Sequence, residues 1–311
     1  MIGAPQPVRR AITAVMATVV TVTGTGVPHL EPGRAGPGVL VECGEVRLQF
    51  DAGRATALRL CEAGVQMSEL CALFVTHHHS DHLTGLVDLL FARWLENHGS
   101  FEPLPVIAPA GPSIDFLEKI MVPWETDIAI RMEHVGRTDH PDPAIVAFDP
   151  AAAVDGPTEV WSDDAAGVRV LARCVHHEPV TPAVAYRIET PTGVVVISGD
   201  TRVCDEVADL AADADVLVHE AFRTDVLRGF FGIAPHLETI AAYHADTVEL
   251  GEMAERISVP RDVLTHLIPP PDGARSTKEG FVDDLRAGGY GGEVIVADDL
   301  TSVTIERSAM A

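Results

Sequence analysis

From residue 19 onward, short runs of β-branched and apolar residues alternate with stretches whose apolar positions recur at helical spacing. "VVTVTGTG" (19–26) predicts a strand running into a glycine turn. "GVLVECGEVRLQFDAG" (38–53) predicts two strands joined at Gly44, the second ending at Asp51. "ATALRLCEAGV" then reads as a helix, "CALFVT" as a buried strand and "LTGLVDLLFARWLENHG" as a second helix. "LPVIAP" predicts a strand, and "SIDFLEKIMVPW" a helix that Pro123 breaks. Between Asp127 and Asp164 the pattern loosens into a Pro-, Asp- and Ala-rich segment, expected to be partly irregular and more a surface excursion than a substrate-shaping loop.

The second half returns to the same style. "GVRVLARCV", "AVAYRIET", "GVVVISGD" and "ADVLVHE" predict strands, "DTVELGEMAERI" a helix, "DVLTHLI" a strand, and "GEVIVADDLTSVTI" closes the fold. Two β-rich halves with helices predict an α/β (α+β) architecture of two sheets packed face to face, helices outside. The 311 residues read as one domain, with 1–18 a flexible or peripheral segment. "VRRAITAVMATVVTV" has the look of a signal peptide, but it passes straight into the first strand and is expected to belong to the fold. No stretch approaches the roughly 20 apolar residues of a spanning helix, so no membrane contact is expected.

Charge changes the picture of partners. Asp and Glu number 46 against 22 Lys and Arg, a formal −24, which makes a polyanion a poor partner because its binding relies on neutralised phosphates. The five cysteines are odd in number, scattered and without a CxxC pair. They read as reduced thiols of a cytoplasmic protein rather than a disulfide framework.

The chemistry concentrates at "VTHHHSDHLTG" (75–85), where residues 77–82 hold four histidines and an aspartate directly after an apolar strand. Alternate residues of an extended segment project to one side. His77 and His79 can therefore reach one metal ion, while Asp81 and His82 can face another where the chain turns toward the next helix. Imidazole and carboxylate without thiolate suit zinc or a similar borderline ion. Other polar residues end apolar strands in the second half: Asp200, His219–Glu220 and His266. Sites collect outside strand ends in open α/β sheets.

His77-x-His79-x-Asp81-His82 after a strand, an isolated later His, an Asp in "SGDT" and a late His together resemble the metallo-β-lactamase superfamily, in its ribonuclease Z-like and arylsulfatase-like branch. The resemblance runs from Gly24 to about Ile305. It implies a four-layer αββα sandwich of two mixed sheets flanked by helices, and two Zn²⁺ per chain, with Mn²⁺ or Fe²⁺ as alternatives. It implies metal ligation by His77, His79, Asp81, His82, Asp200 and His266, with the remaining ligand from His176 or His177. His177 is preferred because "HEPVTPA" matches the branch's motif. Asp81, Glu220 and His244 are the implied catalytic residues, His244 as proton donor with Glu220 behind it, although Ala245 and Asp246 follow His244 where the family shows a small hydroxyl residue. Asp51 in "FDAG" resembles a carboxylate that orients a ligand histidine. The branch also implies a homodimer.

The expected reaction is hydrolysis of an ester-type bond (carboxylic ester or lactone, sulfate ester, or phosphodiester) in a small molecule by a metal-bridging hydroxide, since a bound metal lowers the pKa of water from 15.7 towards about 7. Phe230 and Phe231 are candidates for the pocket wall. A transfer-RNA 3′ endonuclease of the ribonuclease Z type is the nearest alternative. Against it stand the short gaps, 22 residues between His177 and Asp200 and 18 between Asp200 and His219, which hold no long basic arm, and the presence of only Lys119 and Lys278 as lysines. A diiron reductase of the same fold would prefer a carboxylate at the position of His79. A non-catalytic scaffold member typically loses ligands, and here every ligand position is filled.

Overall fold

The chain begins as its hydrophobic pattern predicts: β1 (Ala17–Gly24), β2 (Gly38–Cys43) and β3 (Val46–Phe50) form an antiparallel meander that turns at Gly44, where φ is 60°. In this computed structural model, residues 17–97, 101–231, 234–273 and 276–306 are described. The N-terminal segment expected to be peripheral lies largely outside them. Helix α1 (Thr56–Glu62), β4 (Ala72–Phe74), α2 (Leu86–Glu96) and β5 (Pro105–Pro109) follow, with β4 and β5 parallel to β3.

The helix expected over 113–124 is split. α3 (Pro112–Leu117) ends early, a 3-10 turn covers Val122–Trp124, and α4 (Glu125–Val135) starts afresh. The break falls at 118–121, ahead of Pro123, which sits in the first turn of the restarted helix where its missing N–H costs nothing. The segment from Asp127 to Asp164, expected to be partly irregular, has irregular stretches at 136–143 and 154–157. It carries most of α4, then β6 (Ala144–Phe148) and β7 (Thr158–Asp163). These are the outer strands of the two sheets, with no buried residue in either, so they lack the buried face whose alternation marks a strand in sequence.

The second half runs β8 (Val168–Cys174), β9 (Val184–Thr190), β10 (Gly193–Ile197), α5 (Asp205–Leu210) and β11 (Val216–Phe222). Then come α6 (Thr224–Phe231), α7 (Pro235–Ala241), α8 (Thr247–Ile257), β12 (Arg261–Ile268), α9 (Lys278–Ala287), β13 (Glu293–Val296) and β14 (Ser302–Glu306). Two seven-stranded mixed sheets result, ordered β14-β1-β2-β3-β4-β5-β6 and β13-β12-β11-β10-β9-β8-β7. The stretch 292–305 is therefore not one closing element. It turns at Leu300, where φ is 67°, and hands β14 back to the first sheet. Asp299 pins that crossing by accepting hydrogen bonds from Thr25 N and Oγ1, Ala35 N and Arg59 Nε.

Three apolar layers separate four structural ones. Between the sheets lie Val20, Val41, Phe50, Phe74, Tyr186 and Val218. Leu60, Leu86 and Trp94 pack the first sheet against its helices, and Leu217, Leu250 and Phe281 do so for the second. Each such side chain, fully buried, contributes roughly 1.5–3 kcal/mol. Phe50 stacks on Phe74 at 4.8 Å, and Tyr186 crosses the sandwich to donate to Val75 O at 2.7 Å, which satisfies its hydroxyl. This bolt draws the strand ahead of the histidine run against the second sheet. Among the described residues no helix is long and apolar enough to cross a membrane.

One buried group opposes the fold. Asp262 on β12 is fully buried, neither of its oxygens has a hydrogen-bond partner among the described residues, and burial pushes its carboxyl up to about 8. The unfolded chain gives up this proton near pH 4 while the folded chain keeps it, so this residue's contribution makes stability fall as pH rises from about 4 to about 8. Asp262→Asn should remove that slope, giving by denaturant titration a stability difference from the parent that shifts by roughly 3 kcal/mol in favour of the variant between pH 4.5 and 7.5. A pH-independent difference would contradict this reading of Asp262.

Candidate metal centre

Parallel strands of both sheets end on the same rim of the sandwich, and the residues expected to form a site converge there. Behind β4, Thr76 and His77 leave the strand fully buried. His79 precedes a 3-10 turn over Ser80–His82 that presents Asp81 and His82 inward. Asp200 follows β10, and Glu220 lies on β11. His266 occupies a bulge in β12: Glu220 pairs with Thr265 and Ala221 with Leu267, so His266 is the extra residue, with a φ of 43°. Asp51, after β3, also has a left-handed φ of 54°. Left-handed backbone costs a non-glycine residue roughly 1–2 kcal/mol, and such strain collects at functional sites.

The ligand atoms of His77, His79, His177 and Asp200 lie within 4.8 Å of one another, and so do those of Asp81, His82 and His266. Asp200 stands between the two groups. Its Oδ1 is 3.4 Å from His82 Nε2, while Oδ2 is 3.8 Å from His77 Nε2, 3.8 Å from His177 Nε2 and 3.4 Å from His266 Nε2. Asp81 Oδ2 is 3.4 Å from His266 Nε2 and 3.7 Å from His82 Nε2. Of the two histidines that compete in sequence, His177 enters the group. His176 turns away to Glu178 at 3.2 Å and Glu206 at 3.4 Å. His78 is in neither group.

Hydrogen bonds from behind settle which ring nitrogens face the centre. Asp51 Oδ2 takes His82 Nδ1 at 2.7 Å and the Thr76 hydroxyl at 2.8 Å, and Thr76 Oγ1 in turn meets His77 Nδ1 at 2.9 Å. His177 Nδ1 donates to Tyr243 O at 3.1 Å. One carboxylate thus orients two imidazoles, as expected of Asp51 from the sequence, and the buried Nε2 atoms of His77 and His82 are left without hydrogen-bond partners. Nitrogens aimed inward and unpartnered are what a metal ion requires of its ligands.

The protonation states agree for the first group and for both carboxylates, whereas His82 has a proton to lose before it can ligate an ion. Burial first, then neighbouring histidines, lowers His77 well below its ordinary value and His79 to about 4. Burial also lowers His177, so the neutral form is favoured in all three, and His177 Nε2 meets His79 Nδ1 at 3.2 Å. For Asp200, burial works against the charged form, but His266 and His82 outweigh it and hold the carboxyl well below its usual range. Asp81 is also held low, by His266 and His82, against the same burial. His82 is raised, because Asp200 and Asp51 outweigh its burial. The donor set of buried imidazoles and ionised carboxylates therefore fits divalent ions.

Beside this centre, His244 directs Nδ1 at both oxygens of Glu220, each at 2.8 Å, and Glu220 Oε1 also accepts Thr201 N at 2.8 Å. Burial disfavours the His244 cation, yet the charge and hydrogen bonds of Glu220 prevail and raise its pKa. Asp246 caps α8 through Val248 N and Glu249 N and so fixes the chain just past His244. A cavity of about 580 Å³ opens next to His244, bordered by Arg202, Thr224, Arg228, Ala241 and Glu249. Phe230 and Phe231 fall on α6, and their side chains lie outside the described residues. Thr76 and Tyr243 are site neighbours the sequence reading missed. The only signal was their adjacency to His77 and His244.

Comparison with known proteins agrees with the fold. The model of the family described as Beta-lactamase superfamily domain matches residues 39–267, and the chain belongs to that family. Within it, the chain is a ribonuclease Z-like member. It is 37% identical over 253 residues, 81% of this chain and 84% of the relative, to the protein named Ribonuclease Z from Mycobacterium sp. (strain KMS). It is 33% identical over 296 residues, 94% and 98% of the two chains, to Ribonuclease Z of Mycolicibacterium gilvum (strain PYR-GCK). Among solved structures, the metallo-β-lactamase fold protein YhfI from Bacillus subtilis superposes with a TM-score of 0.69 at 20% identity, covering 93% of this chain and 99% of that one. Human tRNase Z, short form, gives 0.63 at 22%, covering 92% and 99%. These two likenesses speak to fold alone. Fold and relatives together make the chain a metal-dependent hydrolase.

Titrating zinc into chelator-stripped protein should raise Tm by several degrees. A ligand bound only by the folded chain contributes about 2.7 kcal/mol at a hundredfold excess over its Kd, and roughly 2–4 °C accompanies each kcal/mol at this size. Asp51→Ala should weaken zinc binding about 10–100-fold by freeing two imidazoles. A flat Tm in the parent protein would be incompatible with this centre.

Proposed function

We propose that this chain is a dinuclear metal-dependent phosphodiester hydrolase of the ribonuclease Z type, acting on the 3′ end of a transfer-RNA precursor. The observation that carries the reading is the placement of Asp200 within 3.4–3.8 Å of four histidines, with the Glu220–His244 pair alongside. The sequence relatives that share the fold bear the name ribonuclease. That name weighs against the expectation, drawn from net charge, that nucleic acid is not the substrate.

His77, His79, His177 and Asp200 would hold one ion, and Asp200, Asp81, His82 and His266 the other. Zinc is the expected ion, with Mn²⁺ or Fe²⁺ as alternatives. Bound there, the ions would supply Lewis acidity and a water acidic enough to ionise near neutral pH. Asp81 and Asp200 place two negative charges between the histidines, which leaves the loaded centre cationic and attractive to a phosphoryl oxygen. Glu220 takes the Nδ1–H of His244 and its charge favours the imidazolium, and that cation's second proton, on Nε2, is the one that passes to the leaving oxygen, returning a neutral ring. The Thr201 amide fixes Glu220 in turn, so the donor does not swing away. A homodimer and a cytoplasmic location belong to the same reading.

A second reading, a small phosphodiester in place of RNA, is favoured by the net charge of −24 and by the short connections around the site. β9 and β10 are joined by two residues, and α5 with short turns spans from β10 to β11. Zinc-loaded protein should be given a precursor tRNA carrying a 3′ trailer at physiological salt and, separately, bis(p-nitrophenyl) phosphate. Release of the trailer supports the ribonuclease. Turnover of the diester alone replaces it with the second reading, and inactivity on both removes the phosphodiesterase altogether. Asp200→Ala should abolish whichever turnover is found. His244→Ala should slow poor leaving groups by about 10²–10⁴-fold and p-nitrophenolate far less, and equal losses on both would take His244 out of the donor role.

A further inference from the structure

Tyr243 packs beside the centre, and its side chain has no part in the preceding chemistry. Its ring meets His177 edge-on, centroids 5.1 Å apart at 89°, and lies 5.0 Å from the ring of His244. It thus borders one residue of the histidine group and the proton donor at once. The backbone leaves it little freedom: Tyr243 O accepts from His177 Nδ1 at 3.1 Å and Tyr243 N donates to Ile240 O at 3.2 Å. The next residue is held by Glu220.

The phenol itself is free. Tyr243 is only half-buried, its hydroxyl makes no hydrogen bond among the described residues, and burial first, then the charges of Asp200 and Glu220, push its phenol up, so it stays neutral. A polar atom kept beside a highly charged centre and denied a protein partner has a donor to offer whatever enters. The buried tyrosines of this chain behave otherwise, since Tyr186 donates to Val75 O and Tyr290 to Val259 O. We infer that the Tyr243 hydroxyl is a substrate-binding and catalytic group, donating a hydrogen bond to a non-bridging oxygen of the substrate's phosphoryl group. The inference rests on the phosphodiesterase reading above. That oxygen gains negative charge as the phosphoryl group reacts, so a fixed neutral donor favours the transition state over the ground state.

The test compares Tyr243→Phe, which keeps the ring on His177, with Tyr243→Ala, which removes it. On bis(p-nitrophenyl) phosphate, Tyr243→Phe should lower kcat about 10–100-fold with little change in KM, with zinc content and Tm equal to the parent. Tyr243→Ala should in addition weaken zinc binding, because the wall of His177 is lost. A parallel calorimetric titration of inorganic phosphate into zinc-loaded protein should show roughly 5–10-fold weaker binding for Tyr243→Phe. That titration separates the two claims, because it reads the hydroxyl even if the parent cleaves no diester. Unchanged kcat and unchanged phosphate affinity in Tyr243→Phe would reduce Tyr243 to a packing residue and overturn the inference.

Discussion

Everything at the rim of this sandwich answers to one electrostatic constraint: two carboxylates and five histidines share a small volume from which the fold has removed most of the water. Asp200 is nearly inaccessible and sits against four imidazoles from different parts of the chain. In such surroundings an unpaired charge is expensive and a ring nitrogen without a partner is a liability. The chain does not relieve this with more protein hydrogen bonds. It uses Asp51 and Thr76 to turn the unpartnered Nε2 atoms of His77 and His82 inward, and the Tyr243 carbonyl to turn in His177 Nε2, which meets His79 Nδ1 at 3.2 Å. Divalent cations would resolve the arrangement, and the donor set fits them.

The scaffold explains how such a cluster can persist. Strained backbone at Asp51 and His266, the bulge in β12 and the buried Asp262 all cost stability. Opposing them are the three apolar layers, the Tyr186 bolt between the sheets and the Asp299 clamp where β14 returns to the first sheet. Strands from both sheets contribute to one site, so the site depends on the sheets keeping their registers. A centre placed on rigid strand ends needs only short loops to complete it, and the loops here are short.

How much of this was legible in sequence follows from what leaves a local signature. The ligand run at His77–His82 declares itself because alternation in an extended segment is local, and the central strands announce themselves by unbroken apolar runs. β6 and β7 do not, because neither of these two edge strands has a fully buried face to enforce alternation. The split of "GEVIVADDLTSVTI" between two sheets was likewise hidden, since nothing local tells a strand which sheet it will join. Selecting His177 over His176 needed a resemblance, and only the three-dimensional placement shows the cause, His176 being drawn away by Glu178 and Glu206. Tyr243 had only its adjacency to His244 to mark it, since its other contact is with a residue 66 positions earlier. The net charge of −24 and the ribonuclease name of the relatives point in different directions, because a global count says nothing about the local field at one rim of the fold.

The central claim is that seven side chains from distant parts of the chain form one two-ion site bridged by Asp200. Its most direct test is elemental analysis of the full-length protein purified without chelators, beside Asp200→Ala prepared in the same way. Two zinc equivalents per chain in the parent, falling to one or none in the variant while the circular dichroism spectrum is retained, is the result this account predicts. Less than one equivalent in the parent, or two in both proteins, would contradict it.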